Sequence, residues 1–309
     1  MNYVIYKLDF QSSVHFGQND LSKSANSFMA DTLFSALCLE AVKMGNDCLE
    51  SLCDIVRDGR LKFSDALPFI KDTYYLPKPV KKIENDRTGD SVVKKAFKKL
   101  EYIPADKMSD YLQGKLEPES EERLLNEGLG DYGMKVSVVI KGMEEPQPYH
   151  IRYFSFKKES GLYVIMAYAD DEARGLFEDL MMSLSYSGIG GRRSAGFGRF
   201  EFRIAKMPEY ILSRLTNDAK EYMSLSVSLP QEGEMEAALE NAGYVLIKRS
   251  GFVESDTYAD TFKRKKDIFV MKAGSCFKKM YKGSIYDVSG DGSHSVYKYA
   301  IPLWMGVSE

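Results

Sequence analysis

"YSGIGGRRSAGFGRFEF", Tyr186–Phe202, puts five glycines and three arginines into one run with no acidic residue before Glu201. What flanks it sets the fold. Upstream, "DDEARGLFEDLMMSLSYSG" places Leu176, Phe177, Leu180, Met181 and Leu184 on one helical face, with Gly188 at the C-terminal end. Downstream, "FGRFEFRI" alternates, with Phe200, Phe202 and Ile204 on one side and Arg199, Glu201 and Arg203 on the other, which predicts a half-buried strand. "GLYVIMAY", Gly161–Tyr168, reads as a strand before the helix. The glycine-arginine run is therefore a loop between a helix and a strand.

The N-terminal part has a matching pattern. "YVIYKLDF", Tyr3–Phe10, is rich in aromatic and β-branched residues and reads as a strand. "ADTLFSALCLEAVKMGND" follows, with Leu33, Phe34, Leu37, Ala41 and Met44 at helical spacing, Asp31 as its expected N-cap and Gly45 as its C′ residue. "KMPEYILSRLTNDAKEYMS" reads as a linker. A second set then comes into view: "MSLSVSLP" as strand, "QEGEMEAALENAG" as helix, and "YVLIKRSGFV", "DIFVMKAGSCF" and "VYKYAIPLWM" as strands. The expected fold is α+β, with two ferredoxin-like (RRM-like) domains. The first spans residues 1–206, with an insert at about 78–130 and the glycine-rich loop, and the second spans 207–309.

Composition bounds the chemistry. The chain has 309 residues, 44% hydrophobic and 28% charged, with a net charge of −3, so its surface as a whole does not attract nucleic acid. Any such activity must come from local patches. One lies between Lys78 and Lys99, where eight Lys or Arg face three Asp or Glu. Its middle, "IENDRTGDS", reads as disordered or loop-like, and the acidic "EPESEERLLNE", 117–127, as a solvated helix or loop. The N-terminus lacks the pattern of a signal peptide, and no apolar run is long enough for a membrane helix. Cys38, Cys48, Cys53 and Cys276 show no zinc spacing and read as reduced thiols of a cytoplasmic protein, with no metal and no cofactor expected. The apolar C-terminal "VYKYAIPLWMGV" reads either as core or as surface exposed in the isolated chain.

Known phosphate loops fail by spacing. Gly191 and Gly196 have the separation of a Walker A loop, but Phe197 stands where its lysine belongs. Gly188 and Gly190 begin a dinucleotide fingerprint, but its third glycine is Arg193 and the run follows a helix. What remains suits a single-stranded nucleic acid. Gly190, Gly191, Gly196 and Gly198 allow close backbone approach. Arg192, Arg193 and Arg199 offer forked donors to phosphate, Ser194 a hydroxyl, and Phe197 a face for a base. The alternative is a glycine-rich loop with incidental arginines.

A G-x-G-G-[KR]-R-S-x-G-x-G-R-F run between a helix and the last strand of a ferredoxin-like domain resembles the RAMP superfamily of CRISPR RNA-binding proteins. Other stretches, in order, are similar to the subunit of the type III-A (Csm) interference complex that holds the 5′ end of the guide RNA. They are "YKLDFQSSVHFG", "ADTLFSALCLEA", "YYLPKPVKK", "KKAFKKLEYIP", "ESGLYVIMAY", "KRSGFV", "AGSCF" and "VYKYAIPLW".

That resemblance implies a non-catalytic scaffold, not an enzyme. It would grip the repeat-derived 5′ tag of the guide RNA and bridge the large polymerase-like signalling subunit to the filament of backbone RAMP subunits, away from any membrane. It implies RNA contacts from His15 and Gly17 after the first strand, from Thr32 at the first helix, from Lys78, Lys81 and Lys82 of the insert, with Lys94, Lys95, Lys98 and Lys99 as further cations, and from the loop. His15 admits three roles: stacking or donating to RNA, acid–base catalysis, or packing under the loop. Two other functions stay open: a metal-independent guide-RNA processing endoribonuclease of the same superfamily, and an assembly protein whose loop meets protein.

Overall fold

The structure, a computed structural model, describes residues 1–17, 20–83, 91–139, 145, 147–254, 258, 259, 261 and 263–308. The expected loop at "IENDRTGDS" falls almost wholly outside them. β1 (Asn2–Phe10) leads into the short β2 (Phe16–Gly17) and β3 (Ser24–Ala25), then α1 (Ala30–Met44) and α2 (Asn46–Arg57). Next come β4 (Leu61–Phe63), β5 (Leu67–Ile70), β6 (Thr73–Pro77), α3 (Ser91–Lys99), β7 (Tyr102–Pro104), α4 (Met108–Leu112) and α5 (Pro118–Leu129). A long hairpin of β8 (Gly130–Val139) and β9 (Gln147–Phe156) precedes β10 (Ser160–Tyr168), α6 (Asp171–Ser187) and β11 (Phe200–Ala205).

The main sheet runs β11-β1-β10-β5-β6-β7, with β4 also on β10. β1 lies antiparallel between β10 (Ile5↔Ile165) and β11 (Leu8↔Phe202). Chain order β1–α1–β5–β10–α6–β11 with spatial order β11-β1-β10-β5 is the ferredoxin-like arrangement. Alternate side chains of β1 enter two cores. Tyr6 and Leu8 pack with Leu33, Phe34, Phe177 and Leu180 under α1 and α6. Ile5 packs with Tyr163, Ile165, Ile211, Met223 and Leu303 on the other face. Both faces being covered explains why "LYVIMA" of β10 is apolar at every position.

The remaining elements are α7 (Glu209–Thr216), β12 (Tyr222–Ser224), α8 (Met235–Leu239), β13 (Leu246–Arg249), β14 (Ile268–Met271), β15 (Cys276–Phe277), β16 (Ser284–Asp287), β17 (Tyr297–Ala300) and β18 (Trp304–Gly306). The expected linker is a helix, because Ile211 and Leu215 of α7 are buried against the back of the sheet. The expected final strand is two strands. Pro302 has no N–H for a ladder, so β17 pairs with β16 while β18 pairs with β12. Among the described residues the C-terminal half forms small separate sheets, β15-β12-β18, β13-β14 and β16-β17, rather than a second four-stranded ferredoxin-like sheet. Met223, Leu303, Tyr299 and Ile301 pack on the first sheet and its helices, while Ala238, Met271, Phe277 and Tyr281 form a small cluster of their own. Tyr299, Ile301, Leu303 and Met305 are all buried, so the C-terminal stretch is core.

Asp31 does not cap α1. Met29 occupies the N-cap position, and the Asp65 carboxylate, arriving from the break between β4 and β5, accepts from the Ala30 N–H at 2.8 Å. The same oxygen accepts from the Val227 N–H at 3.0 Å. Burial pushes the Asp65 carboxyl up to about 7, and the nearby Asp31 charge adds to the rise. A folded-state value above the unfolded one means stability that is fully present near pH 4 and is lost as pH rises through about 7. Asp65→Asn keeps the oxygen acceptor and removes the titration. We expect the stability difference between the wild type and this variant, measured by urea unfolding at several pH values, to move against the wild type by several kcal/mol between pH 4 and pH 8. A difference independent of pH would show that Asp65 ionises normally.

Candidate nucleic-acid interface

The glycine-arginine run leaves α6 at Gly188 (φ 79°) and folds onto the segment after β1. Backbone bonds hold it there: Gly191 N–H to the His15 carbonyl at 2.8 Å, Gly198 N–H to Ser13 at 3.0 Å, and Ile189 N–H to Gly198 at 3.0 Å. At Gly198, with φ 78°, a Cβ would stand 2.1 Å from the Ile189 carbonyl oxygen, so no other residue fits. At Gly191 the constraint is proximity alone, a Cβ falling 2.9 Å from His15 Cδ2.

His15 is the pillar beneath this loop. It is 4% exposed, and its Nδ1–H donates to the Arg152 carbonyl at 2.7 Å. Its ring edge lies against both Gly17 and Gly191. A ring so enclosed packs and positions the loop, and it offers no open face for a base.

Arg192 is a non-glycine residue at φ 62°, a left-handed conformation that costs on the order of 1 kcal/mol. Its guanidinium lies 5.0 Å from the Tyr149 ring centroid. Arg193 is paired with the exposed Glu254 carboxylate of the C-terminal half. Ser194 is exposed on a single 3₁₀ turn, Arg193–Ala195. Among the described residues the N–H groups of Arg192, Arg193 and Ser194 have no intramolecular acceptor. Phe197 is half-buried, its ring edge-on to Tyr153 at 6.0 Å. Arg199 is exposed where the chain enters β11. The arrangement presents two guanidiniums, a hydroxyl and free N–H groups on one short turn, chemistry suited to phosphate oxygens.

Other expected contacts lie elsewhere. Thr32 Oγ1 accepts from Arg249 at 3.1 Å beside Asp31. Lys78 donates to the Phe97 carbonyl, and burial lowers its pKa. Lys81 pairs with Glu221. Lys78 is thus held within the insert, and Lys81 ties the insert to the segment ahead of β12. Lys82, Lys95, Lys98 and Lys99 remain exposed.

The hairpin β8–β9, which supplies Tyr149, Tyr153 and the Arg152 carbonyl, goes unread in the sequence. Its signal is there: "GDYGMKVSVV" and "QPYHIRYFSF" each hold an apolar or aromatic residue at alternate positions. Tyr132, Met134, Val136 and Val138 on β8 are exposed. A second unread signal is the run Lys263–Arg264–Lys265–Lys266.

A ferredoxin-like sheet with a glycine-arginine loop ahead of its last strand defines a class, and a family model for the RAMP superfamily matches residues 19–201. A model for the CRISPR Csm4 C-terminal domain matches residues 217–307. "CRISPR system Cms protein Csm4" of Mycobacterium tuberculosis (strain CDC 1551 / Oshkosh) is 38% identical over 310 residues, covering 100% of this chain and 99% of that protein. The protein of the same name from Streptococcus thermophilus is 36% identical, covering 98% of each. The chain therefore belongs to the Csm4 family of RAMP proteins. Among solved structures, the crystal structure of a Csm3-Csm4 subcomplex in the type III-A CRISPR-Cas interference complex holds a chain matching at TM-score 0.68 and 21% identity, with 99% of each chain covered. A Csm1-Csm4 cassette in complex with cA4 matches at TM-score 0.64 and 20% identity, with 99% of this chain and 98% of that one covered.

Two substitutions separate what the loop needs for folding from what it spends elsewhere. Gly198→Val is expected to destabilise by on the order of 3 kcal/mol in urea unfolding, through carbonyl clash and positive φ. Arg192→Gly is expected to change stability by less than about 1 kcal/mol, since relief of the left-handed strain offsets removal of the guanidinium from the Tyr149 ring. A large destabilisation by Arg192→Gly would make Arg192 a structural residue.

Proposed function

We propose that this chain is a non-catalytic RNA-binding scaffold of a type III-A CRISPR effector complex, and that its glycine-arginine loop holds backbone phosphates of the guide RNA's 5′ tag. The observation that carries this reading is Arg192: a guanidinium kept in a left-handed conformation, beside Arg193 and unpartnered N–H groups, on a turn held rigidly by His15. Strain retained in a surface turn points to use rather than to stability. For RNA to engage Arg193, its phosphate must displace Glu254, a carboxylate of the same charge.

The partners follow from relatives. Csm4 chains occur with Csm3 in one solved subcomplex and with Csm1 in another. This chain, as their relative, takes a position between a backbone RAMP subunit and a large signalling subunit. We assign residues 1–206 and 207–309 as its two domains, joined through shared cores, with the boundary between the spans that the two family models match. The endoribonuclease reading loses its leading histidine, because His15 is enclosed and its Nδ1 is engaged.

The test is a titration of the purified chain with tagged guide RNA at several salt concentrations. Arg192→Ala/Arg193→Ala is expected to weaken binding uniformly across sequences and to lower the slope of log K against log salt by about 0.7 for each phosphate no longer neutralised. Wild-type affinity and slope in that variant would remove the loop from the RNA grip. Precursor RNA incubated with the chain in EDTA is expected to remain intact, and site-specific cleavage abolished by His15→Ala would restore the nuclease reading.

A further inference from the structure

β13 and β14 form a hairpin in register Lys248↔Phe269, and its ladder continues outward. Phe252 bridges Arg264, Val253 N–H donates to the Lys263 carbonyl at 2.9 Å, and Lys265 N–H donates to the Gly251 carbonyl at 2.9 Å. This extension carries the run Lys263–Arg264–Lys265–Lys266, in which Lys263, Arg264 and Lys266 are exposed. Phe252 is 60% exposed and Phe269 56% exposed, with the Arg264 guanidinium 5.8 Å from the Phe252 ring centroid. Core packing accounts for none of these side chains. The hairpin also adjoins the glycine-arginine loop, because Glu254, two residues after Phe252, pairs with Arg193. Lys265, turned inward, has its pKa lowered by burial and lies close enough to feel the charges of Asp31 and Glu254. The root of the hairpin is fixed by Arg249, which grips Asp31 at the start of α1. The surface is therefore held in place rather than left to swing.

We propose that this hairpin is a second grip on the same RNA strand, in which Lys263, Arg264 and Lys266 take backbone phosphates and Phe252 stacks on an unpaired base. Interleaved cations and an exposed aromatic ring are the chemistry of a single-stranded nucleic-acid groove. A purely acidic protein surface would answer the cations and leave the exposed Phe252 unmatched, whereas an unpaired base beside a phosphate answers both. The strand would pass from the loop at Arg192 and Arg193, across the Glu254 position, onto the hairpin. This proposal rests on the loop reading above, and the experiment is built to separate the two.

Four variants of the full chain are titrated with tagged single-stranded guide RNA at several salt concentrations, after thermal melts confirm folding: Lys263→Ala/Arg264→Ala/Lys266→Ala, Lys263→Arg/Lys266→Arg, Phe252→Ala, and Arg192→Ala/Arg193→Ala. The triple variant is expected to lower the salt slope by about 2, at roughly 0.7 per phosphate. The charge-keeping Lys263→Arg/Lys266→Arg is expected to retain the wild-type slope. Phe252→Ala is expected to lose roughly 5- to 150-fold in affinity with the slope unchanged. If the loop pair weakens binding while the hairpin variants bind as wild type, the hairpin proposal falls and the loop reading stands. If the hairpin variants weaken binding and the loop pair does not, the hairpin holds RNA and the loop reading falls. Unchanged RNA binding by the hairpin variants together with failure to capture a Csm1-type subunit would make the hairpin a protein interface and overturn the proposal.

Discussion

A buried carboxylate neutralised by two cations from the far half of the chain organises this molecule. Asp31, in the first turn of α1, takes a two-pronged contact from Arg249 at 2.8 and 2.9 Å and a third from Lys298 at 3.0 Å. Burial pushes the Asp31 carboxyl up, but the two cations outweigh it and hold it below the ordinary carboxylate value. Such a cluster contributes little net stability, yet removal of one partner leaves an uncompensated buried charge and costs about 3–5 kcal/mol. Its consequence is placement. β13 and β17 are tied to the start of α1, and Asp65, which bonds the first N–H of that helix, fastens it to Val227 as well.

That placement decides which surfaces of the main sheet stay open. The face of the main sheet opposite α1 and α6 is covered by α7, β12 and β18, with Ile5, Tyr163 and Ile165 fully buried. Recognition by bases laid on an open sheet face is therefore closed to this fold. Cations and aromatic rings gather at the rim instead, where the glycine-arginine loop, the β8–β9 hairpin and the β13–β14 hairpin converge through Tyr149, Tyr153 and Glu254. The slightly acidic balance of the whole chain does not oppose this, because the local balance at the rim is set by a handful of arginines and lysines.

Much of the N-terminal half was legible because its signals are local. β1, α1, β10, α6 and β11 each follow from apolar spacing, and Gly45 and Gly188 stand at the helix ends where the pattern stops. The glycine-arginine loop was legible as a loop between α6 and β11 for the same reason, since its residues are consecutive. The C-terminal half was not. Its strands are two to four residues long, too short to carry a period, and Pro302 hides a change of partner within one apolar run. The misreading of Asp31 has the same origin. Asp31 lies inside the first turn of α1, and the carboxylate that bonds the helix's first N–H, Asp65, comes from 34 residues further along the chain.

The sequence by itself determined β1, α1, β10, α6 and β11 of the ferredoxin-like core and the glycine-arginine loop ahead of β11, because backbone propensity, apolar period and glycine freedom act over a few neighbouring residues. Tertiary structure alone decided which charges are spent. Lys78, Lys81, Thr32 and His15 are engaged internally, whereas Lys263, Arg264 and Phe252 are left to solvent beside the loop. A charged or aromatic side chain reads the same in sequence whether it meets a carboxylate, a carbonyl or water. Burial and partner distance, which depend on how distant segments pack, settle whether it holds the fold together or remains free for a ligand.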